Sequence, residues 1–148
     1  MTGSPFLAVR DALVGSWIGK RRTAAQEGEL VRSRWSVTLG GRALREEWLT
    51  AGAGESAAPA AEALFSVTES GPGDFVAAYA SGKFAFGESA FAEATWTLTH
   101  RWLREPGVAV IHLRFLDADT YEQEVLEVAA DGSLRPESLA VMRRERPA

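Results

Sequence analysis

The stretch EATWTLTHRW, residues 93–102, separates into two sets of side chains when it is read at every second position. Trp96, Leu98, His100 and Trp102 fall in one set, whereas threonine and arginine fill most of the other. This alternation predicts a β-strand with one face in a core and the opposite face in solvent. A histidine therefore lies in line with two tryptophans and a leucine, where it serves either as a functional group or as a core residue with a hydrogen-bond partner.

The remaining sequence predicts one short helix followed by strands and turns. Residues 4–15 have the helical pattern, with Ser4 at the N-cap, Pro5 in the first turn and Gly15 at the stop. Residues 51–60 are small and include a proline, so we expect a mobile loop there. Strands are predicted at residues 13–22, 30–39, 42–50, 62–69, 74–80, 83–86, 93–102, 108–116, 120–129 and 134–144, with residues 87–92 as a link.

The hairpin at residues 30–50 gives a second set of inward positions. Its Gly40–Gly41 pair supplies the positive φ angles of a tight two-residue turn. On the return strand Glu46 falls on the same side as Trp48. Because an unpaired carboxylate on an apolar face is costly, Glu46 should have a partner, for which His100 or an arginine is the candidate.

About ten strands joined by short turns predict an all-β fold. An antiparallel meander of this length either leaves exposed edges or closes on itself, and closure removes the edges. A chain of 148 residues with five tryptophans and seven phenylalanines has the size and the apolar content of one domain. We therefore expect a single domain over residues 1–148, a closed antiparallel barrel of about 8–10 strands with the helix over one end.

Two segments carry a resemblance to a known group of barrels. The sequence LVGSWIGKRR at residues 13–22 resembles the G-x-W opening of lipocalin-like, or calycin-type, barrels. It is most similar to bacterial lipocalin-like domains of unknown function, in which a short helix leads into this motif. The sequence GGRALREEWLT at residues 40–50 resembles the second hairpin of that group.

This resemblance implies a structural role for the residues of the motif. In such barrels the tryptophan of the first strand packs across the closed end, against an arginine from the last strand. The tryptophan is Trp17 here, and Arg143 or Arg144 is the candidate arginine. Gly15, Trp17 and Arg144 are therefore expected to hold the fold together, with a cation–π contact of roughly 0.5–2 kcal/mol.

The opening also resembles that of the nitrobindins, a more distant group of haem-binding barrels. Those proteins hold iron through a histidine close to the C-terminus, whereas the last strand of this chain has only Met142 as a soft ligand. The two histidines, His100 and His112, lie on earlier strands, and His112 is expected to face outward. Their spacing is not that of a metal site, so we expect neither a haem or other cofactor nor a metal.

Composition narrows the classes of protein that the chain can represent. The net charge is −4 and the basic residues are scattered, which argues against a nucleic-acid-binding face. The chain has no cysteine, no pattern of a signal peptide and no apolar run of about 20 residues, so we expect no membrane association. A soluble protein of the bacterial cytoplasm is the expectation.

The inward residues predict a cavity that binds a small apolar or amphipathic molecule. Aromatic linings with a few polar groups are typical of such pockets. Two alternatives stay open: an enzyme that uses His100 with Glu46 as an acid–base pair, and a filled barrel whose outer face forms a homodimer. The residues expected to contact the ligand are Trp35, Glu46, Trp48, Trp96, His100 and Trp102.

Overall fold

The computed structural model describes residues 5–25, 28–51 and 57–146, which form one α-helix, one 3₁₀ turn (Leu39–Gly41) and ten strands. In chain order these elements are α1 (Pro5–Leu13), β1 (Gly15–Thr23), β2 (Glu29–Thr38), β3 (Ala43–Ala51), β4 (Ala57–Thr68), β5 (Gly71–Tyr79), β6 (Phe84–Ala92), β7 (Thr95–Trp102), β8 (Val108–Asp117), β9 (Thr120–Val128) and β10 (Leu134–Arg144).

The ten strands form one antiparallel sheet that closes into a barrel. Each strand pairs with its neighbours in sequence, and β1 closes the sheet by pairing with both β2 and β10. At the closing seam Trp17 lies opposite Arg144 on one side and opposite Ser33 on the other. The closure pairs both edges of every strand and confirms the predicted all-β, lipocalin-like barrel with a short N-terminal helix.

The helix α1 fills one end of the barrel with apolar side chains. Phe6 and Leu13 lie on its inner face and are 0% and 1% exposed. The ring of Phe6 lies 4.9 Å from that of Trp96 and 5.5 Å from that of Phe91, in edge-on and tilted contacts that add to the gain from burial. The predicted N-cap Ser4 lies outside the described residues.

Trp17 and Arg144 attach the helix to the barrel at the same end. The indole Nε1 of Trp17 donates to the carbonyl oxygen of Leu13 at 2.9 Å. Arg144, rather than Arg143, lies over the indole, with its guanidinium carbon 4.4 Å from the ring centre. The same guanidinium donates to main-chain carbonyls of the helix end and of the β8–β9 turn. Gly15 leaves room for it, since a Cβ there would lie 3.1 Å from Nη1 of Arg144.

Two segments form strands where the sequence predicted a link and a loop. Residues 87–92 continue β6, and a Cβ at Gly87 would collide with the main-chain oxygen of Thr99. Gly87 is therefore what allows β6 and β7 to approach closely. Residues 57–60 belong to β4, and residues 52–56 of the predicted mobile loop lie outside the described residues.

The connection between β2 and β3 is longer than the predicted two-residue turn. The last pair of the hairpin is Thr38 with Ala43, so four residues connect the strands. Gly40 and Gly41 have positive φ angles of 66° and 89°, as expected, but Leu39 also takes a positive φ of 52°. This additional left-handed residue widens the turn.

Candidate functional site

The end of the barrel opposite α1 contains a cavity of about 280 Å³. Its size lies close to the lower limit of the range of about 300–1,000 Å³ that is typical of small-molecule pockets. Nine of the ten strands contribute residues to the cavity wall, and β6 contributes none. Its polar and charged lining side chains, apart from the tryptophans, are Arg21, Glu46, Tyr79, His100, Gln123, Glu137 and Ser138.

Small side chains in this half of the barrel leave the space for the cavity. Five of the lining residues are alanines, namely Ala61, Ala63, Ala77, Ala109 and Ala140. On β4, β5 and β10 the next inward position toward α1 is larger, with Phe65, Phe75 and Met142. Since successive inward side chains stack along the barrel, this change from alanine to large residues leaves one half filled and the other half open.

Aromatic rings form much of the remaining lining. Tyr79 on β5 and Trp102 on β7 have ring centres 4.9 Å apart, and the ring of His100 lies 4.8 Å from that of Trp102 at 88°. Trp48 lines the cavity from β3, and Trp35 lines it from β2. Flat rings in these arrangements can pack against an apolar or aromatic ligand without any rearrangement of the barrel strands.

Glu46 brings a carboxyl group into the barrel interior. It faces the cavity from the middle of β3, and Oε2 accepts a hydrogen bond of 2.6 Å from Oγ of Ser33 on β2. Burial raises the pKa of Glu46 to about 7, while the hydrogen bond from Ser33 opposes this shift. Its carboxyl group therefore changes between neutral and ionised forms near neutral pH.

His100 and Tyr79 form a second polar pair in the wall. His100 is 5% exposed, and its Nε2 lies 2.8 Å from the hydroxyl oxygen of Tyr79. Nδ1 is buried without a hydrogen-bond partner among the described residues. Burial lowers the pKa of His100, and burial together with Glu46 and Glu137 raises the pKa of Tyr79 to about 12. At neutral pH the pair is therefore an uncharged imidazole and an uncharged phenol.

Tyr121 extends the polar groups of the interior toward the closed end. Its hydroxyl accepts a hydrogen bond of 3.2 Å from Nε1 of Trp35, and its side chain is 0% exposed. Burial raises the pKa of Tyr121 far above the ordinary value, and the charge of Glu46 adds to this effect. Trp35 with Tyr121 and Ser33 with Glu46 therefore form two hydrogen-bonded pairs where the cavity meets the closed end.

Glu137 reaches the cavity through an irregularity in β10. The pairing of β10 with β9 shifts between Pro136 and Ser138, which leaves Glu137 as the extra residue of a bulge. Bulges at barrel rims commonly redirect a side chain in this way. Glu137 is exposed and lines the cavity at its mouth.

The structure brings five of the six predicted ligand contacts to one cavity. The lining includes Trp35, Glu46, Trp48, His100 and Trp102, and their binding role stays a prediction.

Trp96 does not line the cavity, although its side chain points into the barrel. It is 0% exposed and lies between Phe6 of the helix and Phe65, with ring centres 4.9 Å and 4.8 Å away. Trp96 is therefore part of the closed end.

The structure does not assemble the acid–base pair of the enzyme alternative. Glu46 is bonded to Ser33 and His100 to Tyr79, and within the described residues no hydrogen bond joins the two groups themselves. The expected partners of Glu46 were His100 or an arginine, and the structure corrects this to a serine. His112 lies on the outer face, where Nδ1 is 3.0 Å from Oγ1 of Thr97.

Several polar residues of the site were not singled out from the sequence, among them Ser33, Tyr121, Gln123 and Glu137, whereas Tyr79 was expected to face inward but was given no role. Ser33 could have been found, because it lies two positions before Trp35 and so shares its face. Tyr79 shares a face with Phe75 by the same rule. Glu137 could not have been found from the sequence pattern, because the direction of its side chain depends on the bulge in β10.

Metal clusters and membrane-spanning helices are both absent from the residues that the structure describes. No group of three or more histidine, aspartate or glutamate side chains gathers in a way that could hold a metal ion there. The described helix has nine residues, and nothing helical in the described ranges is long and apolar enough to cross a membrane.

Comparison with solved structures shows the fold of the chain. Rv2717c from M. tuberculosis is similar with a TM-score of 0.63 and 18% identity, over 98% of this chain and 100% of that one. The S-type phycobiliprotein lyase CPES from Guillardia theta has a TM-score of 0.62 and 15% identity, over 95% and 93% of the two chains.

A redesigned β-barrel is also similar, with a TM-score of 0.50 and 9% identity. No protein-family model and no curated protein matches the sequence. The likeness therefore establishes a calycin-like β-barrel, and the G-x-W and nitrobindin resemblances stay predictions.

Proposed function

We propose that the chain binds a small apolar or amphipathic molecule in the open half of its barrel. The observation that carries this proposal is the cavity of about 280 Å³ with a mixed wall of alanines, aromatic rings and a few polar groups. Burial of an apolar body against such a wall contributes about 25 cal/mol per Å² of apolar surface removed from water.

The structural neighbours support this proposal at the level of the architecture. One of them is a phycobiliprotein lyase, so a barrel of this kind serves a chemical function in another protein. At 15% identity this neighbour supports only a shared fold, so the proposed ligand is inferred from the cavity of this chain.

A titration followed by tryptophan fluorescence tests the proposal. Trp35, Trp48 and Trp102 line the cavity, so a ligand that enters it should change their emission. Ala77→Leu places a larger side chain in the cavity and should abolish the change. Ala78→Leu is the matched control, because Ala78 is the next residue on β5 and faces outward. Equal responses of the two variants to small phenyl-substituted alcohols would place binding outside the cavity and contradict the proposal.

A further inference from the structure

The charges in the cavity wall are unbalanced. Three charged side chains line it within the described residues, namely Arg21, Glu46 and Glu137. Arg21 is already engaged by Glu29, whose Oε2 lies 2.5 Å from Nη2 and 3.1 Å from Nε. Neither Glu46 nor Glu137 has an ion-pair partner in the part of the chain that is described. The wall therefore offers two carboxylates to a ligand and a single arginine that is paired with another residue.

The aromatic rings beside these carboxylates suit a positive charge. The faces of tryptophan and tyrosine rings attract cations, more strongly in desolvated sites. Tyr79 lines the same cavity as Glu46 and Glu137, and after burial their negative charges contribute to the raised pKa of its hydroxyl group. The ring of Trp102 already has a cation near its face, because Nζ of Lys83 lies 5.4 Å from the ring centre.

We propose that the ligand is a small organic cation with an apolar body, such as a protonated amine, whose charged group pairs with Glu46 inside the barrel. This inference rests on the proposed binding function. The carboxylate of Glu46 has one oxygen bonded to Ser33 and can accept the ammonium group on the other. The apolar body of the ligand then packs on Trp35, Trp48 and Trp102.

Other charge types fit this wall less well. An anion would face two carboxylates in the same cavity wall and would find Arg21 paired with Glu29. A neutral ligand without a hydrogen-bond donor would remove water from Glu46 and leave its carboxylate unpaired, which opposes binding unless Glu46 takes up a proton, and a neutral hydroxyl would supply a hydrogen bond without charge pairing. A cation adds charge pairing to the hydrogen bond that it donates, so it gives this carboxylate a stronger contact than a neutral or negative group does.

Glu137 completes the arrangement at the entrance. The bulge between Pro136 and Ser138 turns Glu137 toward the cavity, and its carboxylate is exposed to solvent as well as part of the lining. A negative group in this position raises the local concentration of cations at the entrance. The two glutamates therefore have different roles: Glu137 favours entry of the cation and Glu46 retains it.

Calorimetric titration at pH 8 with three ligands of equal apolar body tests the proposal. The ligands are phenylbutylamine, phenylbutanol and phenylbutyrate, which carry a positive, a neutral and a negative group. We expect the amine to bind roughly tenfold or more tightly than the alcohol, and the acid to bind most weakly. In Glu46→Gln the amine should lose this advantage, whereas the affinity for the alcohol should not fall. Glu47→Gln is the matched control, since Glu47 is the next residue on β3 and faces outward toward Arg45.

The outcomes separate this proposal from the proposed function. Equal affinity for amine and alcohol, tighter binding of the acid, or an amine preference that survives in Glu46→Gln would overturn the cation assignment and leave cavity binding in place. Binding of none of the three ligands would overturn both proposals. Circular dichroism of each variant shows that the barrel is folded before its affinities are compared.

Discussion

The substitution Glu46→Gln should make the barrel more stable at alkaline pH and remove the pH dependence of stability that the raised pKa of Glu46 gives the native chain. The pKa of Glu46 is about 7 in the folded chain, against an ordinary value of 4.5 that applies when the chain is unfolded. Between these values the folded chain holds a proton that the unfolded chain has released. Raising the pH through this window therefore lowers the free energy of unfolding of the native chain. The stability that the raised pKa of Glu46 contributes is fully present below pH 4.5 and is lost above pH 7.

The size of this effect follows from the two pKa values. At about 1.4 kcal/mol per pKa unit, the difference corresponds to at most about 3 kcal/mol. Glutamine cannot ionise and can still accept the hydrogen bond from Ser33. The stability of Glu46→Gln relative to the native chain should therefore rise by up to about 3 kcal/mol between about pH 4.5 and about pH 8.

Urea unfolding followed by tryptophan fluorescence measures this difference at a series of pH values. Comparing the two chains cancels the contribution of other titrating groups, including His100, whose lowered pKa makes stability fall as the pH drops below about 6.5. Glu47→Gln, with its side chain on the outer face, should follow the native chain at every pH. A constant stability difference between the native chain and Glu46→Gln across this pH range would show that Glu46 is not buried as described.

Three further predictions follow from the fold and the wall of the cavity. Arg144→Met removes the cation over Trp17 and the hydrogen bonds to main-chain carbonyls, and should cost roughly 2–4 kcal/mol in urea unfolding; an unchanged midpoint would contradict this. Gly87→Ala should unfold the barrel or lower its melting temperature strongly, because a Cβ at residue 87 would collide with the backbone of Thr99. Gly73→Ala is the control and should be tolerated, because the nearest atom to its Cβ would lie 3.4 Å away. Tyr79→Phe removes the partner of His100 and should cost about 1 kcal/mol; a stability equal to that of the native chain would argue that Nε2 is solvated instead.

The periodicity of the sequence was sufficient to predict the class of fold and the direction of most side chains. Alternation at every second residue placed Trp35, Glu46, Trp48, His100 and Trp102 on the inner face, and all five line the cavity. The regular turns indicated a meander, and the number of strands indicated closure. These features depend on local sequence, so they can be read from it.

The height of a residue within the barrel could not be predicted in the same way. Alternation tells which face Trp96 occupies, but its distance from the ends depends on the tilt and stagger of the strands. The register places Trp96 beside Phe6 of the helix, whereas His100, further along the same strand, lies in the cavity wall. The hydrogen-bond partner of Glu46 could not be predicted either, because Ser33 becomes its neighbour only through the pairing of β2 with β3.

The position of the cavity in one half of the barrel could not be predicted from the sequence for a related reason. The alanines that create it, such as Ala63, Ala77 and Ala140, come from three separate strands and gave no individual signal in the sequence. Their shared height appears only once the register is known. Glu137 reaches the mouth because one residue of β10 is unpaired, and alternation across a bulge assigns the wrong face.

A crystal structure of the chain with phenylbutylamine would show directly whether the barrel holds a cation beside Glu46. We expect the phenyl ring inside the barrel, in contact with the indoles of Trp48 and Trp102, and the ammonium group within hydrogen-bonding distance of the Glu46 carboxylate. A cavity occupied by water at a ligand concentration that saturates the protein in solution, with the amine bound on the outer surface, would contradict both the cavity and the cation assignments.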